Sequence, residues 1–396
     1  MTPPRKRTTK KRPAGKRSTA GATVRDLGKD RVHLVTGYPG FIGKRLVEAL
    51  ALHHPESRVI VLAQEKFEKD AKAFSRSIRG AGKKAEIEVL AGDVVNMDLG
   101  LAGAEYAALI DEVTDIFHLA AIYYLGVEKR KAHAVNVEGT RRMLETAGEA
   151  RRLRRFNHMS TVYVCGDRAG VIAEDELEMG QRFRNFYEET KYEAETEVRD
   201  AMAELPISVY RPSIVIGDSR TGEIDRFNGP YYFGILLVTS PLSVPLPLPG
   251  DGVAPLNVVP VDFVVEAMIT LNEDPEAEGR TFHLVDPNPM SSRRVYEMIA
   301  ERAGKKLPRV TLSHRMTEKV LRLPGLERLT RQQRQAVEYV NHLAIFNCHN
   351  TLELLDGTGV RCPPLNSYMT RLMAYVRSEY RRRQDAGVVA EDALDD

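Results

Sequence analysis

Val35-Thr36-Gly37-Tyr38-Pro39-Gly40-Phe41-Ile42-Gly43 closes a short β-branched run, Arg31–Val35, and opens an amphipathic segment, Phe41–Leu52. Three glycines between a strand and a helix suit the turn that wraps a dinucleotide pyrophosphate. One permits the tight turn, one lets backbone N–H groups approach the phosphates, and one lets the helix pack on the strand. The helix N-terminus adds partial positive charge toward the anion. A glycine triplet alone is weak evidence, and the strand–turn–helix context gives this one its meaning. Thr36, Gly37, Tyr38, Pro39, Gly40, Phe41, Ile42 and Gly43 are therefore read as a cofactor turn.

The same rhythm continues outward. Arg58–Ala63, Ala85–Leu90, Asp115–Leu119, Arg155–Met159 and Ile207–Arg211 read as further strands. Helical patterns at Phe67–Ile78, Ala134–Ala147 and Tyr187–Leu205 fall between them, and Thr281–Val285 reads as a late strand. A parallel crossover needs a helix to return the chain. The expected fold class is α/β: a doubly wound parallel Rossmann sheet with a smaller, mostly helical C-terminal substrate cap. The expected division is a disordered basic tail (1–28), a dinucleotide-binding domain (29–217, with the strand near 281–286), a lid or substrate region (218–280), a helical cap (287–380) and an acidic tail (381–396).

The chain has 396 residues and is 43% hydrophobic, enough for a large core. Its formal charge of +2 hides an asymmetry: eight Lys/Arg and no acid stand in the first 20 residues. The rest carries 49 basic against 55 acidic residues, a formal −6. The tail is too polar to order itself. A solvated tail is the plain reading, and a weak contact with nucleic acid or an acidic membrane surface is the alternative. Three cysteines imply a reducing, cytoplasmic compartment. No apolar segment follows the N-terminal charges, so a secretory signal is not expected. The longest apolar stretch, Tyr231–Pro249, holds Pro241, Pro245, Pro247 and Pro249, which suits a lid rather than a membrane span.

Reducing a carbonyl places negative charge on its oxygen, so a proton donor must stand beside it. Tyr187 and Lys191 are four residues apart on a helical pattern and share a face. A cation there favours the phenolate and lowers a pKa ordinarily near 10. The fifth strand ends in Met159-Ser160-Thr161-Val162-Tyr163, whose hydroxyls suit a substrate oxygen. His118-Leu119-Ala120-Ala121 ends the fourth strand with small residues, allowing a cofactor close to the backbone; His118 itself reads as a satisfied core histidine. Asn136 lies on the next helix. Asp93-Val94 follows the third strand, where a carboxylate suits an adenine amino group or merely begins a turn. At the end of the second strand stands Ala63 rather than an acid, and Gln64 and Lys66 suit a 2′-phosphate. NADP(H) is favoured, and Glu65 keeps NAD(H) open. Cys348-His349, His342 and Cys362 lack metal-ligand spacing, so no metal is expected. Asp218-Ser219-Arg220-Thr221-Gly222-Glu223 suits either a polar substrate group or an ordinary turn.

This ordered set resembles the extended short-chain dehydrogenase/reductase superfamily, and within it the thioester-reductase and fatty acyl-CoA reductase ("male sterility") branch. The likeness spans about residues 30–290 and rests on the glycine turn together with Gly92-Asp93-Val94, Phe117-His118-Leu119-Ala120-Ala121, Asn136-Val137-Glu138-Gly139-Thr140, Met159–Val164 and Arg211–Asp218. It implies Tyr187 as proton donor, with Lys191 lowering its pKa and bonding the nicotinamide ribose. It also puts the substrate hydroxyl on Thr161, with Ser160 beside it, and places Pro212 and Ser213 near the nicotinamide. The branch often has Arg where Ala63-Gln64 stands. The large C-terminal domain of eukaryotic members is not evident, nor is an adenylation or carrier segment. The expected activity is NAD(P)H-dependent reduction of a hydrophobic carbonyl or acyl thioester. A sugar-nucleotide epimerase or dehydratase, a sterol-type alcohol dehydrogenase, and a non-catalytic cofactor sensor with a nucleic-acid-binding tail are the rivals. The expected partner is a small, lipid-like molecule rather than nucleic acid. Peripheral membrane contact and oligomeric state stay open.

Overall fold

The structure is a computed structural model, which describes residues 31–80, 85–123, 127–224, 252–304, 339 and 341–385. The whole basic tail 1–28, residues 386–396 of the acidic tail and the apolar stretch 231–249 lie outside the described residues.

Seven parallel strands form the main sheet. In chain order they are β1 (Val32–Tyr38), β2 (Arg58–Ala63), β3 (Glu86–Ala91), β4 (Asp115–His118), β5 (Arg155–Met159), β7 (Ile207–Pro212) and β10 (Thr281–Leu284). Their spatial order is β3-β2-β1-β4-β5-β7-β10. The order reverses at β1, where Val35 pairs with Val61 of β2 and with Phe117 of β4. In open sheets of this kind ligands bind outside the carboxyl ends of the strands at such a reversal. The glycine turn leaves the sheet at that point.

Each face of the sheet carries a helical layer. On one face lie α1 (Phe41–His53), α2 (Glu68–Gly80) and α7 (Val261–Glu273), and Leu46, Val47, Leu50, Val264 and Met268 are fully buried there. Burying each such side chain contributes about 1.5–3 kcal/mol. On the other face lie α3 (Gly103–Glu112), α5 (Gly139–Glu149) and α6 (Phe186–Ala201), with Leu109, Met143 and Val198 inside. A short helix α4 (Lys129–His133) runs into α5 through a π turn, Ala134–Glu138. The helix thus begins before the expected Ala134. Exposed Lys129-Arg130-Lys131 carry no apolar periodicity to announce it.

The segment 218–280 was expected to be a lid or substrate region, and its described C-terminal part includes a helix of the sheet's own layer. Val261–Glu273 is the crossover helix between β7 and β10 and packs in the same cluster as α1. Its nine buried residues make it part of the sheet's own layer. Beyond it, α8 (Ser292–Arg302) and α10 (Leu365–Asp385) pack together over a two-stranded parallel pair, β8 (Ile214–Ile216) and β9 (Val258–Pro260). A second pair joins β6 (Gly170–Ile172) to β11 (Ala344–Phe346), followed by α9 (His349–Leu355). Asp218 Oδ1 accepts from the Arg220 and Thr221 amides at 2.7 and 2.9 Å, so Asp218–Glu223 is a turn closed on itself.

Candidate active site

At the glycine turn, Gly37 has φ +91°, a left-handed conformation that L side chains rarely adopt. A Cβ there would lie 2.8 Å from the Leu119 carbonyl carbon, and one on Gly40 would lie 2.7 Å from the Gly37 oxygen. Gly40 N–H donates to that oxygen at 2.8 Å. The turn is therefore seated against the end of β4, leaving a side-chain-free backbone cradle at the start of α1. Phe41 lies under the Arg45 guanidinium, and Ile42 packs on the core. Tyr38 is buried against Phe74, and Pro39 follows it through a cis peptide.

Thr36 fastens the two strand ends. Its hydroxyl accepts from the Leu119 and Ala120 amides, both at 3.1 Å, and meets His118 Nδ1 at 3.0 Å. His118 Nε2 meets Thr140 Oγ1 at 3.0 Å, and that hydroxyl donates to the Asn136 carbonyl at 2.6 Å. Thr140 can then only accept from His118, so the ring carries its proton on Nε2 and accepts from Thr36 at Nδ1. Burial, reinforced by the Lys191 charge, holds the imidazole down to about 3. His118 is a neutral lock. Ala121 continues the loop toward Ile122.

Two further strand ends meet on the glycine turn's side of the sheet. Gln64, after β2, donates to Asp93 Oδ2 at 2.7 Å, while Asp93 Oδ1 accepts from the Val95 amide at 3.2 Å. Val94 packs where a Cβ on Gly139 would lie, 2.9 Å from its methyl. Lys66 is exposed, its ammonium 4.8 Å from the Phe67 ring centre.

Tyr187, Lys191 and Thr161 meet across the crevice. Asn185 caps α6 by accepting from the Glu188 amide at 3.0 Å, which starts the helix just before Tyr187. Burial pushes the Tyr187 phenol up to about 12, with the Thr161 hydroxyl opposing, so its pKa is raised rather than lowered as the Tyr–Lys pairing led one to expect. Lys191 is buried and donates to the Met159 carbonyl at 2.6 Å. Burial brings its pKa down to about 8, with Glu195 opposing. Asn136, in the π turn, is fully buried. It accepts from the Ile122 amide at 2.8 Å and donates to the Ile122 carbonyl at 3.1 Å and Thr190 Oγ1 at 2.9 Å. Asn136 thereby ties the loop after β4 to α6. Pro212 ends β7, and Ser213 donates to Asn257 Oδ1 at 2.9 Å. Ser160 sits apart from this group: its hydroxyl donates to buried Glu195 at 2.6 Å.

A family model described as male sterility protein matches residues 35–268. The chain belongs to the male sterility protein family. The family's members are NAD(P)-dependent oxidoreductases. Curated relatives of this male sterility family chain include the fatty acyl-CoA reductase wat of Drosophila melanogaster, 27% identical over 61% of this chain and 54% of that protein. The carboxylic acid reductase of Segniliparus rugosus is 28% identical over 68% of this chain and 25% of its own length. The chain thus spans about half or less of these relatives. Among solved structures, the terminal R domain from the myxalamid PKS-NRPS biosynthetic pathway superposes with TM-score 0.74 at 26% identity, covering 88% of this chain and 91% of that one. UDP-glucuronic acid 4-epimerase from Bacillus cereus in complex with NAD gives 0.63 at 19%, over 88% and 98% of the two chains, a likeness of fold.

A nicotinamide dinucleotide fits what the residues offer. The cradle admits no Cβ at Gly37 or Gly40, its amides open the helix α1, and Gln64–Asp93 stand on the flank where the strand order leads. Among the described residues no cluster of three metal-ligating side chains occurs. No described helix is long and apolar enough to cross a membrane. Sequence reasoning missed Glu195 and Thr190. The repeat Tyr187-x3-Lys191-x3-Glu195 was visible as three positions on one helix face.

Proposed function

We propose that this chain is an NADP(H)-dependent reductase of a hydrophobic carbonyl or fatty acyl thioester, giving aldehyde or alcohol. The observation that carries the reading is that Tyr187 and buried Lys191 share one helix, with Lys191 bonded to the carbonyl of Met159 at the end of β5, two residues before Thr161. When bound, the nicotinamide would supply a hydride to the carbonyl carbon. A thioester then becomes a hemithioacetal that expels the thiol to leave the aldehyde, and a second hydride and proton would give the alcohol. Tyr187 donates the proton that the developing oxyanion needs, and its raised pKa keeps it protonated at neutral pH. Thr161 holds the same oxygen, and Lys191 presents its charge from beneath. The 37–43 turn would hold the pyrophosphate, with Thr36 seating that turn against the end of β4, and Gln64 and Lys66 would hold the 2′-phosphate. The lack of an acid at Ala63 supports NADP(H) over NAD(H). The lipid-like substrate is supported by the apolar run 231–249 and by the similarity to acyl-CoA and carboxylic acid reductases.

Turnover is followed by the loss of reduced-nicotinamide absorbance with a panel of acyl-CoAs and aldehydes. NADPH is expected to outperform NADH, and Tyr187→Phe is expected to abolish turnover while NADPH affinity stays within about twofold. Full turnover by Tyr187→Phe overturns the acid. Co-purified NAD with turnover of a nucleotide sugar, and none of added NADPH, overturns the reductase.

A further inference from the structure

Two adjoining residues at the end of β5 are bonded to one face of α6, and the next, Thr161, acts on the Tyr187 phenol of the same face. The Met159 carbonyl accepts from Lys191 at 2.6 Å, and Ser160 donates to Glu195 at 2.6 Å. The helix positions are 187, 191 and 195, a single stripe four residues apart. Two members of the stripe belong to the reaction proposed above. We propose that the third, Glu195, is a positioning residue: it clamps the β5 end onto α6 and sets a negative charge beside the Lys191 ammonium.

Glu195 is fully buried, and both of its oxygens are occupied. Oε1 accepts from Arg211 Nη2 at 2.7 Å and Nε at 3.1 Å, and from Arg199 Nε at 3.0 Å. Oε2 accepts from Ser160 at 2.6 Å and Arg211 Nε at 3.0 Å. Arg211 is itself held by the Glu176 carbonyl at 2.9 Å and His283 Nε2 at 3.2 Å. The carboxylate therefore has one position, referenced to β5 through Ser160 and to β7 through Arg211. A shift of Glu195 would move Ser160, and with it the adjoining Thr161 hydroxyl and the Met159 carbonyl that receives Lys191.

The groups acting on Lys191 come from three elements. On α6 itself there is Glu195, and Tyr187 lies one turn before. His158 on β5 and His118 on β4 feel the Lys191 charge and are neutral through burial. Behind Glu195 stand the cations Arg211 and Arg199, which partly offset its charge. Glu195 is the group that favours the ammonium. A folded-state ion pair with no bearing on the reaction would affect stability alone; this arrangement predicts an electrostatic readout at Lys191.

The inference rests on the reductase reading for its meaning, so its test includes a measurement free of turnover. The Lys191 Cε–Nζ signal is titrated by NMR in cofactor-free wild type, Glu195→Gln and Ser160→Ala, and kcat is measured against pH for the same three proteins. In Glu195→Gln the Lys191 midpoint is expected to fall by about one pH unit or more, and the alkaline limb of kcat to move down with it. Ser160→Ala keeps the charge, so its midpoint stays and its kcat falls roughly tenfold through misplacement of Thr161. An unmoved Lys191 midpoint in Glu195→Gln overturns the inference. If that variant does not fold, an unchanged kcat in Ser160→Ala overturns it. Wild-type protein without NADPH turnover refutes the reductase reading instead, and the positioning role falls with it, whatever the NMR midpoint does.

Discussion

Gly37 presses backbone against backbone, with no side chain in between to yield. An Ala in its place would meet φ +91° and the Leu119 carbonyl carbon at 2.8 Å together. Strained backbone of this kind costs about 1–3 kcal/mol. Gly37→Ala is therefore expected to lower the urea midpoint and to weaken NADPH binding more than tenfold in a fluorescence titration. Tyr187, by contrast, adds little to the core through its phenol oxygen, so Tyr187→Phe should leave the unfolding free energy within about 0.5 kcal/mol of wild type while silencing turnover. At this scale the chain was legible where one residue type has one use. The glycines follow β1, the Tyr–Lys pair stands on α6, and the Ser-Thr pair follows β5. The partners were not legible. Nothing local announces that Ser160 turns to Glu195 and Thr161 to Tyr187, because adjacent residues leaving a strand separate to different sides.

The helical elements carry their own lesson. Thr190 links the π turn at Asn136 to α6, accepting from Asn136 at 2.9 Å and donating to the Phe186 carbonyl at 2.7 Å. Thr190→Val keeps the shape and removes that link, so unfolding is expected about 1–3 kcal/mol more easily in urea, with kcat reduced because α6 is no longer referenced to the loop after β4. A kcat equal to wild type would mean that Asn136 serves the loop alone. Strands β2 and β5 match their expected ranges residue for residue, and in β2 the run Val59–Ala63 is uninterruptedly apolar, as suits a parallel strand buried on both faces. The pairs β6–β11 and β8–β9 were invisible. Each strand has three residues and its partner lies far along the chain, so neither periodicity nor turn chemistry marks it. The crossover helix Val261–Glu273 was hidden for another reason: it is apolar on nearly all sides, and its surroundings resemble loop.

Across the whole molecule, histidines are used as neutral core groups. Burial holds His33 and His342 down to about 4 and His118 and His283 to about 3, and it depresses His158 as well. Unfolded, each would bind a proton near pH 6.5. Between that pH and the folded values the unfolded chain holds more protons, so stability falls as pH falls. Each histidine contributes a slope of about 1.4 kcal/mol per pH unit at most. The urea midpoint is expected to be flat above about pH 7.5, to begin falling by pH 6.5 and to drop steeply from pH 6 to 4.5. A flat response through pH 5 would show that these rings take up protons in place. Such acid sensitivity follows from His33, His118 and His158 standing on central strands, a feature that the sheet's pattern made legible for position and not for protonation.

The fixed tautomer of His118 gives the cofactor turn a spectroscopic voice. One ring nitrogen should resonate as pyridine-like and the other as pyrrole-like, with neither drifting between pH 5 and 9. Because the pyridine-like atom listens only to Thr36, a dinucleotide settling on the neighbouring amides should shift that signal and leave its twin nearly still, reporting occupancy without any turnover at all.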